Sequence, residues 1–203
     1  MAEYDPARPL VPPAVGLAAI VVAFGGVCYA MVAAPWFSPL SYALSDLGAR
    51  GAVTAPIFNG ALLVGGALGA GFVVSVLAET AHPIRQAGGV FGLLAMLFMA
   101  LVGAFPIPSP FHGLVAIPFF VFLTLAVFLW GAGDYAAGRQ FRGLVLLLLG
   151  VLHVVSWAWW ALFPWFPPGI AIPELFGSVA FAVWGGWLAV EAFERVRVDR
   201  DRL

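Results

Sequence analysis

The stretch APIFNGALLVGGALGAGFVVSVLA, Ala55–Ala78, decides the fold. It holds no charged residue and exceeds the roughly 20 apolar residues that a helix needs to cross the hydrocarbon core of a bilayer. Comparable runs lie at Pro13–Ala34, Gln86–Phe105, Phe111–Gly133, Phe141–Phe163 and Ile170–Val190. Together they define an all-α, polytopic integral membrane helical bundle. It has six transmembrane helices in a single transmembrane domain over 1–203, followed by a charged tail over 191–203. The composition agrees: 63% of the 203 residues are hydrophobic and 9% are charged, against about 25% charged in a typical soluble domain. The first run is read as a retained helix, since its basic flank is the single Arg8 and its apolar stretch outruns a signal core.

Arginine placement orients the bundle. Arg8, Arg85, Arg139, Arg142, Arg195, Arg197, Arg200 and Arg202 fall on one side, and Arg50 alone on the other. Basic residues are held on the cytoplasmic side of membrane proteins, so both termini are expected in the cytoplasm of a multi-pass protein of the cell membrane. The odd-numbered spans all end outside in proline-aromatic turns: Pro35–Pro39 after the first, Phe105–Pro110 after the third, Phe163–Pro168 after the fifth. Proline stops a helix there because it lacks an N–H and clashes with the preceding turn. Two rows of small residues, Ala61–Gly65–Gly69 and Ser178–Ala182–Gly186, would let helix backbones approach closely.

Several function classes are excluded. A net charge of −1 offers no basic surface for nucleic acid. The absence of lysine rules out Schiff-base chemistry on the chain's own amine and the P-loop. The single Cys28 rules out an internal disulfide and a C-x-x-C-H haem attachment. The charged residues of the inner loops and tail read as solvated faces. The bilayer is the evident partner, and partner subunits within the membrane are a further expectation.

The first outside loop has more content. Ser38 and Pro39 suit the start of a helix and Gly48 its end, which predicts a short interfacial helix at the membrane surface. Asp46 then lies near the C-terminus of that helix, against its dipole, with Arg50 four residues on as a candidate partner. At the same depth lie Ser45, Asn59, His112 and Glu174, while His153 sits near the middle of the fifth span. Each has a bland reading: Asn59 as glue between helices, His112 as an interfacial cap, Glu174 as a solvated carboxylate, His153 as a packing residue with one bonded neighbour. Intramembrane ionisable groups nevertheless tend to face the interior and to have a use.

Leu44-Ser45-Asp46-Leu47-Gly48, Ile57-Phe58-Asn59, and Gly103-Ala104-Phe105-Pro106 followed by His112 together resemble domain-of-unknown-function family 998, small polytopic membrane proteins of archaea and bacteria. The resemblance covers roughly residues 40–120. It implies a six-helix membrane fold, and it implies that Ser45, Asp46, Asn59 and His112 belong to one unit; it carries no activity to transfer. Three readings stay open on the residues alone. One is an outer-leaflet site for a lipid headgroup or small molecule, built from Asp46, Asn59, His112 and Glu174 above His153, in one form a metal-dependent hydrolase. Another is a non-enzymatic accessory or structural subunit, in which His153 could also ligate a haem or chlorophyll-type metal. The third is a small-solute transporter. Neither cofactor nor metal is assigned.

Overall fold

The structure, a computed structural model, describes residues 11–163, 165 and 168–200. Six α-helices follow one another: α1 (Pro13–Ala33), α2 (Ala55–Ala78), α3 (Pro83–Ala104), α4 (His112–Ala136), α5 (Gln140–Leu162) and α6 (Ala171–Arg200). Each is long and apolar enough to cross a membrane, and among the described residues there is no strand. The chain is a six-helix, multi-pass membrane protein. Pro164, Phe166 and Pro167 of the third proline-aromatic turn, with Arg8 and Arg202, lie outside the described residues.

The elements start and stop for local reasons. Pro13 and Pro83 open α1 and α3 and Pro56 is the second residue of α2, in the first turn where the missing N–H would have had no partner anyway. Three boundaries differ from the sequence expectation. The third helix begins at Pro83 and so includes Arg85; the fourth continues to Ala136 and includes Asp134; the sixth continues through Arg200, so that residues 191–200 are helix rather than a separate tail.

Consecutive helices pack as neighbours, α6 closes the ring against α1, and α4 also touches α6. The centre is filled by large side chains. Trp130 of α4 and Trp184 of α6 meet edge to face at 6.1 Å, both fully buried beside Met96 and Met99 of α3. The fifth helix is the most open to lipid: 17% of its apolar window is buried in the protein, against 56% for α2.

The small-residue row of α2 packs inside the chain. Ala61 faces Gly26 of α1, and a Cβ added at Gly65 would stand 2.6 Å from Ala23 Cβ and 3.1 Å from the Ala19 carbonyl oxygen. At Gly69 it would stand 2.7 Å from the Met96 sulfur. The row expected in the sixth helix behaves differently. Gly186 has open space around it, and α6 instead buries Gly177, Phe181, Trp184 and Leu188.

The helix expected across the first outside loop is a 3-10 helix over Leu44–Gly48 alone, with Leu44, Ser45, Leu47 and Gly48 buried rather than spread on the membrane surface. The reason is a competing set of bonds. The amides of Gly169 and Ala171 donate to the carbonyls of Leu40 and Tyr42, at 2.9 and 3.0 Å, and hold the turn over residues 38–42 beside the start of α6. Gly169 permits this approach, because a Cβ there would lie 2.6 Å from the Tyr42 carbonyl oxygen.

Gly65→Leu should lower the unfolding midpoint in detergent by the equivalent of about 1–3 kcal/mol, since backbone and Ala23 cannot move aside. Gly69→Ala should cost less, because the thioether of Met96 can turn away. Melting of Gly65→Leu at the wild-type temperature would place the row toward lipid.

Candidate functional site

The polar residues expected on the outside converge on the ends of the 3-10 helix. At its start, the Ala43 amide donates to Asp46 Oδ2 at 2.8 Å, and the next amide, of Leu44, donates to Glu174 Oε2. Two carboxylates from different elements thus sit on consecutive N–H groups. At its end, Thr54 Oγ1 donates to the Leu47 carbonyl at 2.7 Å, and Asn59 Nδ2 donates to the Gly48 carbonyl at 2.8 Å. These are the groups that any helix leaves without internal partners, and acids at the start with donors at the end match the helix polarity. Ser45 is buried in the middle of the same turn.

This placement corrects three expectations. Asp46 lies in the first turn of its helix, not the last, so its carboxylate is favoured there. Arg50 is not its partner: the 3-10 helix ends before it, its side chain is exposed, and its amide donates to the Ile107 carbonyl at 2.9 Å. Glu174 is not solvated, being 5% exposed.

The Arg50–Ile107 bond ties the first outside loop to the turn between α3 and α4. His112 fastens that turn from the other side, with Nδ1 at 2.9 Å from the Phe105 carbonyl. A carbonyl only accepts, so Nδ1 carries the proton. An open groove of about 430 Å³ lies beside the turn, lined by Arg50, Phe105, Pro106, Pro108 and Phe111 among others.

His153 is separate from this set. It is 1% exposed, and its Nε2 accepts from Trp157 Nε1 at 2.9 Å. An indole N–H only donates, so Nε2 is unprotonated and Nδ1 holds the hydrogen. Nδ1 meets Thr124 Oγ1 at 2.9 Å, and that hydroxyl donates onward to the Phe120 carbonyl at 2.8 Å. The ring is neutral with both nitrogens in use, and none of Asp46, Asn59, His112 or Glu174 is among its partners.

The opposite end of the bundle, where the described chain begins and ends, holds a cluster that the sequence reading took for solvated faces. Arg85 of α3 reaches both oxygens of Glu191 on α6, at 3.0 and 2.9 Å, and its Nε lies 3.3 Å from Asp134 of α4. Arg139 and Arg142, at the start of α5, each reach both acids. Arg195 joins Glu191 at 2.6 Å and Glu79 at 2.9 Å. Asp134 is fully buried, and Arg85 is 5% exposed with its guanidinium 4.6 Å over the Trp130 ring.

Among the described residues no three His, Cys, Asp or Glu side chains converge to hold a metal ion. A family model described as protein of unknown function (DUF998) matches residues 17–191. The chain belongs to this family. No curated protein and no solved structure matches it.

The matched region of this DUF998 chain includes the cap around the 3-10 helix and every member of the arginine cluster except Arg195. Of the residues singled out from sequence, Asp46, Asn59 and Glu174 meet around one turn, Ser45 lies within it, His112 secures the adjoining turn, and His153 stands apart. Thr54 was missed, though its place just before Pro56 marks a helix start. Asp134 and Glu191 were missed because each falls one position beyond an apolar run that had been closed too early.

Glu191→Ala would leave four guanidiniums without their shared acceptor, and a loss of about 3–5 kcal/mol is expected. Arg195→Ala, at the more exposed rim, should cost about 1 kcal/mol or less. Unfolding midpoints in detergent check the ranking, and equal values for the two variants would contradict the central place of Glu191.

Proposed function

We propose that this DUF998 protein is a non-enzymatic membrane module, a structural or accessory component of the cell membrane. One observation carries this reading: the polar groups on which an outer site would depend bond to the chain's own backbone. Asp46 and Glu174 hold amides, Asn59 holds a carbonyl, and His112 holds another. Side chains used in this way close the outer end of a bundle, since backbone ends near lipid cannot be left unpaired. The broad lipid-facing side of α5 fits a module that works from within the bilayer, alone or beside partner subunits.

A second reading, a site for an amine-bearing headgroup or small molecule at the outer leaflet, has its own support. Glu174 uses only Oε2 on Leu44, and Asp46 sits on the adjoining amide, so two acids face a common region. The aromatic trio Trp36, Phe37 and Tyr42, with Trp36 and Tyr42 5.1 Å apart, stands next to them in the chain and would suit a cation.

Thermal stability separates the two. On the structural reading, Asp46→Asn, Asn59→Ala and His112→Ala each lower the midpoint, by about 1–3 kcal/mol equivalent per buried group left unpaired. Ethanolamine-headgroup lipid then shifts wild type and Glu174→Gln alike. Lipid that stabilises wild type but not Glu174→Gln would overturn the structural reading and favour the site.

The orientation belongs to the same proposal: the termini and the arginine cluster face the cytoplasm, as the distribution of arginines supports. In a Cys28→Ser background, a membrane-impermeant thiol reagent applied to whole cells should label Ser41→Cys and not Ala137→Cys. The reverse pattern would invert the topology.

A further inference from the structure

The arginine cluster is incompletely balanced. Arg85, Arg139, Arg142 and Arg195 face Asp134, Glu191 and Glu79, which leaves one positive charge without a counterpart. Hydrogen-bond capacity is just as uneven, because a guanidinium has five N–H donors in a fixed fork. Arg142 reaches both acids through Nη2 alone, and its buried Nε has no acceptor. Arg139 likewise uses only Nη1. Arg85 is buried and Arg195 is held between Glu79 and Glu191, so the unused donors concentrate on Arg139 and Arg142, whose side chains are 40% and 21% exposed.

These two stand three residues apart at the start of α5, hence on one face. That start has no side-chain cap and no acid in its first turn, so its dipole adds to the positive field. Around the helix from that face, α5 presents apolar side chains to lipid from its first turn: Phe141 is 76% exposed, and Leu144 and Leu148 are more than half exposed. A ligand meeting both features has an anionic oxygen-rich head at the membrane surface and an apolar chain along the helix.

We infer that Arg139 and Arg142 form a binding site for the phosphate of an anionic phospholipid packed against the start of α5. Arginine forks match phosphate oxygens with paired hydrogen bonds, and the inner leaflet of a cell membrane is rich in such lipids. Asp134 and Glu191 each hold one terminal nitrogen of both guanidiniums, and the exposed part of the Arg139 side chain stays open to a ligand. The inference concerns the other end of the bundle from the cap; it rests on the proposed orientation and not on the structural role proposed for the cap.

The test uses the full chain in mild detergent, with native mass spectrometry counting retained lipid and thermal unfolding as a second readout. Phosphatidylglycerol should be retained and should raise the midpoint. Phosphatidylcholine, whose choline cancels the phosphate charge, should do neither, and inorganic phosphate at equal concentration should give no protection. Arg139→Gln leaves the Arg142 pairs in place and should weaken phosphatidylglycerol retention about tenfold, the scale of one charge-assisted hydrogen bond. Arg197→Gln, an exposed arginine outside the cluster, should leave it unchanged. Equal retention of the two lipids, equal loss in both variants, or equal protection by inorganic phosphate would each overturn the assignment. Should Arg142→Gln fail to fold, Arg139→Gln still decides.

Discussion

The carboxylate of Glu191 is shared by four guanidiniums, and through them the ends of α3, α5 and α6 are held together, with Asp134 adding α4. No hydrophobic force of the aqueous kind draws helices together in a bilayer, so close packing and polar contacts must do it. Here the two are divided by depth. Glycine and alanine contacts set the approach of consecutive helices from α1 to α5, and α3, α4, α5 and α6 are in addition tied at one end by charge. A buried ion pair is weak evidence for net stability, but these pairs link the ends of four helices.

The opposite end is closed, among the described residues, by neutral and charged hydrogen bonds rather than ion pairs. The 3-10 helix over Leu44–Gly48 is too short to hold itself, and its exposed backbone groups are matched by side chains from its own turn, from the start of α2 and from α6. The resemblance that joins Leu44–Gly48 to Asn59 therefore has a physical content. Asn59 and the glycine whose carbonyl it holds are two halves of one contact.

Six helices were legible in the sequence because a run such as Ala55–Ala78 has no other stable solution in water or lipid. The boundaries were less so, and the error had consequences. Runs closed at Gly133 and Val190, and opened at Gln86, each stop one residue short of a buried charge: Asp134, Glu191 and Arg85. Hydropathy penalises a charged residue whether it is solvated or paired, so it trims away the residues that pair across helices. The arginines counted as topology signals include four that build the cluster, and a count by side says nothing about partners. The first outside loop failed for a different reason. Ser38-Pro39 and Gly48 are good local signals for a helix, but the pairing of residues 40–42 with 169–171 is long-range and leaves no trace in local pattern.

The sixth helix carries both Glu174 and Glu191, one at each end of the bundle. During synthesis it is the last of the six to leave the ribosome. Until it arrives, the amide of Leu44 has no carboxylate, and Arg85, Arg139 and Arg142 have only Asp134 to share. The five-helix intermediate thus exposes unsatisfied charge at one membrane surface and unpaired backbone at the other. A single insertion event resolves both, so a chain stalled before α6 would present to the cell's quality-control proteases a polar signature at each face that the finished protein hides.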